Sequence, residues 1–214
     1  MAQKISPTAE EFREAQEIIE NSLTKAEAEF SLERDVIIEI GLGGHDDIVE
    51  MFDGVYGFAS YPNEIELKFN TAAENWRQSL KSTTVHEYAH VWGFEQRGRE
   101  SSKKWEYILE EAFTQHTAKQ FAPEYQSQWW TEHGTQTVAA YWEQVKENEL
   151  DQDSEDAGPL FINSDDEGYS LGLGYSLSFQ IGQELLGEHK LSDLLTLSKS
   201  ELVRAGDNLY QHER

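Results

Sequence analysis

The sequence predicts an α+β protein, with a small antiparallel sheet in its N-terminal part packed against a mainly helical C-terminal part. Three observations carry that expectation. Glu64 to Phe69, EIELKF, alternates strictly between charged and apolar side chains, the mark of a strand with one wet face and therefore of antiparallel pairing. Before about residue 30 and after about residue 72, apolar residues recur instead at the three- and four-residue steps of a helix. A 12% aromatic content over 214 residues supplies core-forming bulk, despite a mean hydropathy of −0.68.

Each element can be justified in order. Ser6-Pro7 followed by Thr8-x-x-Glu11 opens a helix with proline in its first turn and a capping box. Phe12, Ala15, Ile19, Leu23, Ala26 and Phe30 then form one apolar stripe. Val36 to Leu42, VIIEIGL, reads as a strand with Val36, Ile38, Ile40 and Leu42 on one face, broken by the glycines and Asp46-Asp47 that follow. After a Gly- and Tyr-rich connection, Tyr61-Pro62-Asn63 turns the chain into the strand Glu64 to Phe69. Helices are expected near 72–80, 82–97, 104–121, 124–148 (interrupted at Gly134), 172–187 and 190–204, with Leu150 to Gly168 a polar surface loop. There is no internal repeat. A single domain over 1–214 follows, its sheet within about 30–70 and its helices within about 72–205.

Charge and composition remove several function classes. Forty-one acidic against 17 basic residues give a net charge of −24, a field that repels nucleic-acid phosphates and anionic membrane surfaces. The absence of cysteine rules out disulfides, thiolate catalysis and Cys-ligated metals. The charged N-terminus lacks the apolar core of a secretory signal, and no apolar run approaches the roughly 18 residues of a spanning helix. These observations point to a soluble, cytoplasmic protein without nucleic-acid or membrane partners.

One motif stands out: His86-Glu87-x-x-His90, in TVHEYAH. Positions i and i+4 lie on one helix face, so both imidazoles can reach one metal ion. Glu87 is rotated about 100° from His86, outside the ligand set but facing a water on the ion's open position. A catalytic zinc needs a third protein ligand. A metzincin continuation, HExxHxxGxxH, fails: Gly93 is present, but Gln96 occupies the place of the third histidine, and the only methionines are Met1 and Met51. The other continuation places a glutamate on the next helix, and WEYILEEAFTQH supplies Glu111, with Glu110 as the alternative, among Leu109, Ala112 and Phe113.

HEYAH followed by LEEAFTQH resembles a gluzincin-type zinc metallopeptidase. More narrowly, it resembles a family of bacterial and archaeal proteins described as predicted zinc-dependent proteases, in which HExxH is followed by Glu-Gly-x-Ala-x-x-His. The corresponding stretch here is Glu111-Ala112-Phe113-Thr114-Gln115-His116, with Ala112 and Thr114 in place of the usual small residues. GVYGFASYPNEIELKF upstream and GYSLSFQIG downstream are also similar, so the likeness runs in patches from about residue 36 to 187. The resemblance implies one Zn²⁺ held by His86, His90 and Glu111, and a peptide or protein substrate.

The chemistry expected is hydrolysis by an activated water, with Glu87 as base and then acid. An oxyanion donor is also required, for which Tyr175 and His116 are the candidates, with Tyr169 behind them. The strand Glu64 to Phe69 could offer an edge to an extended peptide. The same constellation would serve a zinc hydrolase of another amide or ester, or persist in a regulatory protein without turnover. His45, His133, His189 and His212 lack partners at ligand spacing and read as surface residues, while Trp129, Trp130 and Trp142 read as packing residues. Asn163-x-Asp165-x-Glu167 opens like a calcium loop, but its twelfth position is Gly174, where a bidentate carboxylate is needed.

Overall fold

Helix α1 (Ala9–Glu29) begins as its sequence dictates: Thr8 Oγ1 accepts from the Glu11 amide at 3.2 Å and Glu11 Oε2 accepts from the Thr8 amide at 2.7 Å. The structure, a computed structural model, describes residues 7–42, 52–161 and 169–211. It divides into two compact units, one of residues 1–100 and 117–127, the other of residues 101–116 and 128–214.

The first unit holds α1, a three-stranded sheet and the motif helix. Strands β1 (Ile37–Leu42), β2 (Val55–Ser60) and β3 (Glu64–Phe69) lie in the order β1-β3-β2. Glu64–Phe69 is therefore the central strand, paired on both sides, and has no edge to offer a peptide. The sheet is mixed rather than antiparallel: β2 pairs antiparallel with β3, but β1 pairs parallel with it, Ile38 opposite Ile65 and Ile40 opposite Leu67. The short turn at Tyr61–Asn63 forces β2 and β3 into opposite directions. The longer connection after β1 imposes no direction, and alternation reports only that one face is wet. β2 itself, VYGFAS, has too few large apolar residues to announce itself as a strand.

Ile65, Leu67 and Phe69 are buried on the inner face, covered by α2 (Trp76–Arg97), which also packs on α1 and β2. Phe69 stacks on Trp76 with ring centres 5.8 Å apart and meets Phe12 of α1 at 6.0 Å. The sequence suggests two helices near 72–80 and 82–97. They are one, because Thr84 satisfies its hydroxyl on the Leu80 carbonyl at 2.7 Å instead of breaking the turn. The helix stops at Gly98, whose φ of 69° suits glycine.

In the second unit, α4 (Gln128–Thr131) and α5 (Thr135–Asn148) replace the single interrupted helix, with Gly134 as the N-cap of the latter. The short α6 (Gly158–Phe161), α7 (Leu173–Leu185) and α8 (Lys199–Tyr210) follow. Trp130 stacks on Phe179 of α7 at 5.4 Å, and Trp142 donates to Asp207 Oδ1 at 2.8 Å. The stretch expected as a surface loop from residue 150 instead buries Leu150, Ala157, Leu160 and Phe161. The apolar residues among its charges anchor a 3-10 turn (Ser154–Ala157) and α6. The calcium-like run Asn163 to Glu167, and His45 and His212, lie outside the described residues. His133 is half-buried, its Nε2 2.6 Å from the Leu171 carbonyl oxygen. Helix α3 (Lys104–Phe121) is continuous, with residues as far as His116 counted in the second unit and the rest in the first. Among the described residues no helix is long and apolar enough to cross a membrane.

Candidate metal centre

Helix α2 brings the two motif histidines together. His86 Nε2 and His90 Nε2 are 3.2 Å apart, with ring centres 4.9 Å apart and planes at 74°. Two nitrogens bound at 2.0–2.1 Å to one tetrahedral ion stand about 3.3 Å apart, so the pair is spaced for a shared ligand. A ligand atom of each of His86, His90 and Glu111 lies within 4.8 Å of the other two. A proton shared between the two rings would also account for their spacing. It would give the carboxylate no part, whereas a cation does. Two imidazoles and one carboxylate suit zinc and leave one position open.

Glu87 is buried on α2. The backbone of β2 crosses its side chain so closely that a β-carbon built at Gly57 would stand 2.6 Å from both Glu87 Cγ and Glu87 Oε1. The charge of Glu87 is felt by Tyr56: burial first, then Glu87 and Glu66, raise its phenol above the ordinary value, with Lys68 opposing them. Neither Tyr56 nor Gly57 carries a signal in the sequence, since the strand they occupy is itself hard to read.

On α3, Glu111 is buried between residues one turn away on the same face. Gln115 Nε2 donates to Glu111 Oε2 at 3.3 Å. From the other side Tyr107 hydrogen-bonds Glu111; burial first, then the Glu111 charge, hold the phenol well above its usual range, so it remains the donor. Glu110, the alternative ligand, is engaged elsewhere, its Oε2 accepting from Ser101 Oγ at 2.5 Å. Tyr107 and Gln115 are residues that sequence reasoning passed over, although their spacing of four from Glu111 was there to be read.

The oxyanion candidates fare differently. Tyr175 on α7 is half-buried, its ring edge-on to Phe161 at 5.1 Å and tilted on Trp129 at 5.9 Å. His116 lies flat on Phe179 with ring centres 4.6 Å apart, and its Nε2 is 2.9 Å from the Phe179 carbonyl oxygen. Gly182 leaves room for that ring. Tyr169 is buried and accepts from Gln144 Nε2 at 3.1 Å.

Residues 15–204 match the family described as predicted Zn-dependent protease (DUF2268). The chain belongs to that family. The match spans the motif helix, Glu111 and α7, as the resemblance in HEYAH and LEEAFTQH implies. No curated protein and no solved structure matches the sequence.

Proposed function

We propose that the chain is a zinc-dependent peptidase that binds one Zn²⁺ through His86, His90 and Glu111 and uses Glu87 as its general base. The observation that carries this reading is the gathering of two imidazoles and one carboxylate within 4.8 Å, with an acid rooted one residue along the same helix. Zinc, when bound, supplies a Lewis acid that acidifies water and polarises a carbonyl. The protein's own groups do the rest. The Glu87 carboxylate takes a proton from the attacking water and returns it to the leaving amine. The Tyr175 phenol donates to the oxyanion of the tetrahedral intermediate. His116, with Nε2 held against the Phe179 carbonyl, keeps α3 and α7 in register as a positioning residue. Tyr107 and Gln115 orient the Glu111 carboxylate.

The substrate on this reading is a peptide or protein. The net charge of −24 disfavours nucleic acid. Elemental analysis of the purified protein should find one zinc per chain. A mixed peptide library should be cleaved by the wild type and not by Glu87→Gln, which keeps its zinc. Turnover that survives in Glu87→Gln overturns the assignment of the base. Zinc retained with cleavage of esters alone moves the substrate to another acyl class.

A further inference from the structure

We infer that Gly57 is a positioning residue for the Glu87 side chain: β2 omits a side chain at this point so that the carboxylate of the base can lie against its backbone. The inference rests on Glu87 being the base but concerns how that base is held.

The inner face of β2 carries Val55, Gly57 and Ala59, opposite Phe69, Leu67 and Ile65 of β3. Any side chain at 57 therefore points toward α2. An added β-carbon would meet three atoms at 2.6 Å: Glu87 Cγ, Glu87 Oε1 and Thr83 Cγ2. Separations under 3 Å between such atoms are not tolerated, so something must move. Gly57 has no left-handed backbone that would require glycine, as Gly54 and Gly98 have. Space, not conformation, is what glycine provides here. Neighbouring β2 positions accommodate Val55 and Ala59, so the strand does not need glycine along its whole length. It needs it where it passes the acid.

The consequence is specific. Glu87 is buried, and the strand limits the directions it can take. With a methyl group at 57, either Glu87 turns away from the place the strand leaves for it, or β2 withdraws from α2 and the carboxylate loses the backbone that confines it. Displacements near 1 Å at a reacting group cost about a hundredfold in rate.

Three variants test this. In Gly57→Ala, kcat on a cleaved peptide should fall about a hundredfold, with KM and zinc content near wild type. The crystal structure of the zinc-loaded variant should show the Glu87 carboxylate moved by about 1 Å or more and the two imidazoles in place. Thermal melting supplies a readout independent of turnover. Gly57→Ala should lower the midpoint, and removing both crowded atoms of the acid in Gly57→Ala/Glu87→Ala should recover it, while Gly57→Ala/Thr83→Ser should recover less. If Thr83→Ser restores the midpoint and Glu87→Ala does not, or if Glu87 keeps its position in Gly57→Ala, Gly57 serves helix–strand packing alone and the inference fails. Loss of turnover in Glu87→Gln tests the function itself, so the two failures are distinguishable.

Discussion

Helices α1 and α8 are built differently from α2 and α3, and the contrast locates the chemistry. α1 and α8 each begin with a side-chain capping box, Thr8 with Glu11 and Ser198 with Glu201, and each buries a narrow stripe, Ala15, Ile19, Ser22 and Ala26 in the first case. Most of their charges face water. α2 has no side-chain cap at Asn75, yet it buries Ser79, Ser82, Thr84, Glu87 and His90 together with its apolar residues. α3 buries Glu110, Glu111, Thr114, Gln115, His116 and Thr117. Burying polar groups is costly unless they find partners. A helix that buries them on many sides is held by its surroundings rather than by its own termini, and its polar groups are there for what they bind.

Breaking that contrast at its strongest point means removing a proposed zinc ligand. His90→Ala should leave a protein that folds but retains no zinc after dialysis, as elemental analysis would show, and that cleaves no peptide. Retention of a full equivalent of zinc in this variant would show that the buried polar residues of α2 gather for some other purpose. The residues proposed to orient Glu111 should matter less. Gln115→Leu and Tyr107→Phe each remove one hydrogen bond to Glu111, and each should weaken zinc binding about 10- to 100-fold in competition with a chelator. Unchanged affinity in both would mean that Glu111 is fixed by its packing alone.

The sequence revealed these parts unevenly, for physical reasons. The cap and most of the stripe of α1 are local patterns and were legible, although Pro7 stands before the Thr8 cap rather than in the first turn, and Ser22 is buried within the stripe. The motif pair was legible too, because one helical turn fixes its geometry. Burial does not choose between Glu110 and Glu111, since both are buried on α3; what differs is their partners, Ser101 for Glu110 and the grouping with the two histidines for Glu111. Strand direction was not legible: the pattern of β3 says which side is wet, but the parallel partner β1 is chosen by the path of the chain between them. Gly57 was invisible for a related reason. A glycine in a strand of small residues carries no periodic signal, and its meaning comes from a side chain thirty positions away. The buried segment after residue 150 was hidden by its charges, because Leu150, Leu160 and Phe161 are too far apart to form a recognisable stripe.

The smallest effects belong to the surface helices, and they complete the comparison. Thr8→Ala removes one cap and should cost about 1 kcal/mol, a shift of about 2–4 °C in melting midpoint for a chain of this size, with zinc content unchanged. The partner in that cap adds a pH signature. Glu11 is held below the ordinary carboxylate range, first by the Thr8 backbone amide and next by its hydroxyl, with desolvation opposing them. A carboxyl whose folded value is depressed stabilises the fold above its ordinary range and loses that contribution as pH falls through the lowered value. Glu11→Gln should therefore melt below wild type at neutral pH, and the gap should close in acid once both side chains are neutral. Melting curves of the two proteins across the acid range would check this. A gap that persists at the lowest pH would mean that the variant disturbs the packing of α1 rather than its cap, and the line between capped surface helices and site-bearing buried ones would be less sharp than drawn.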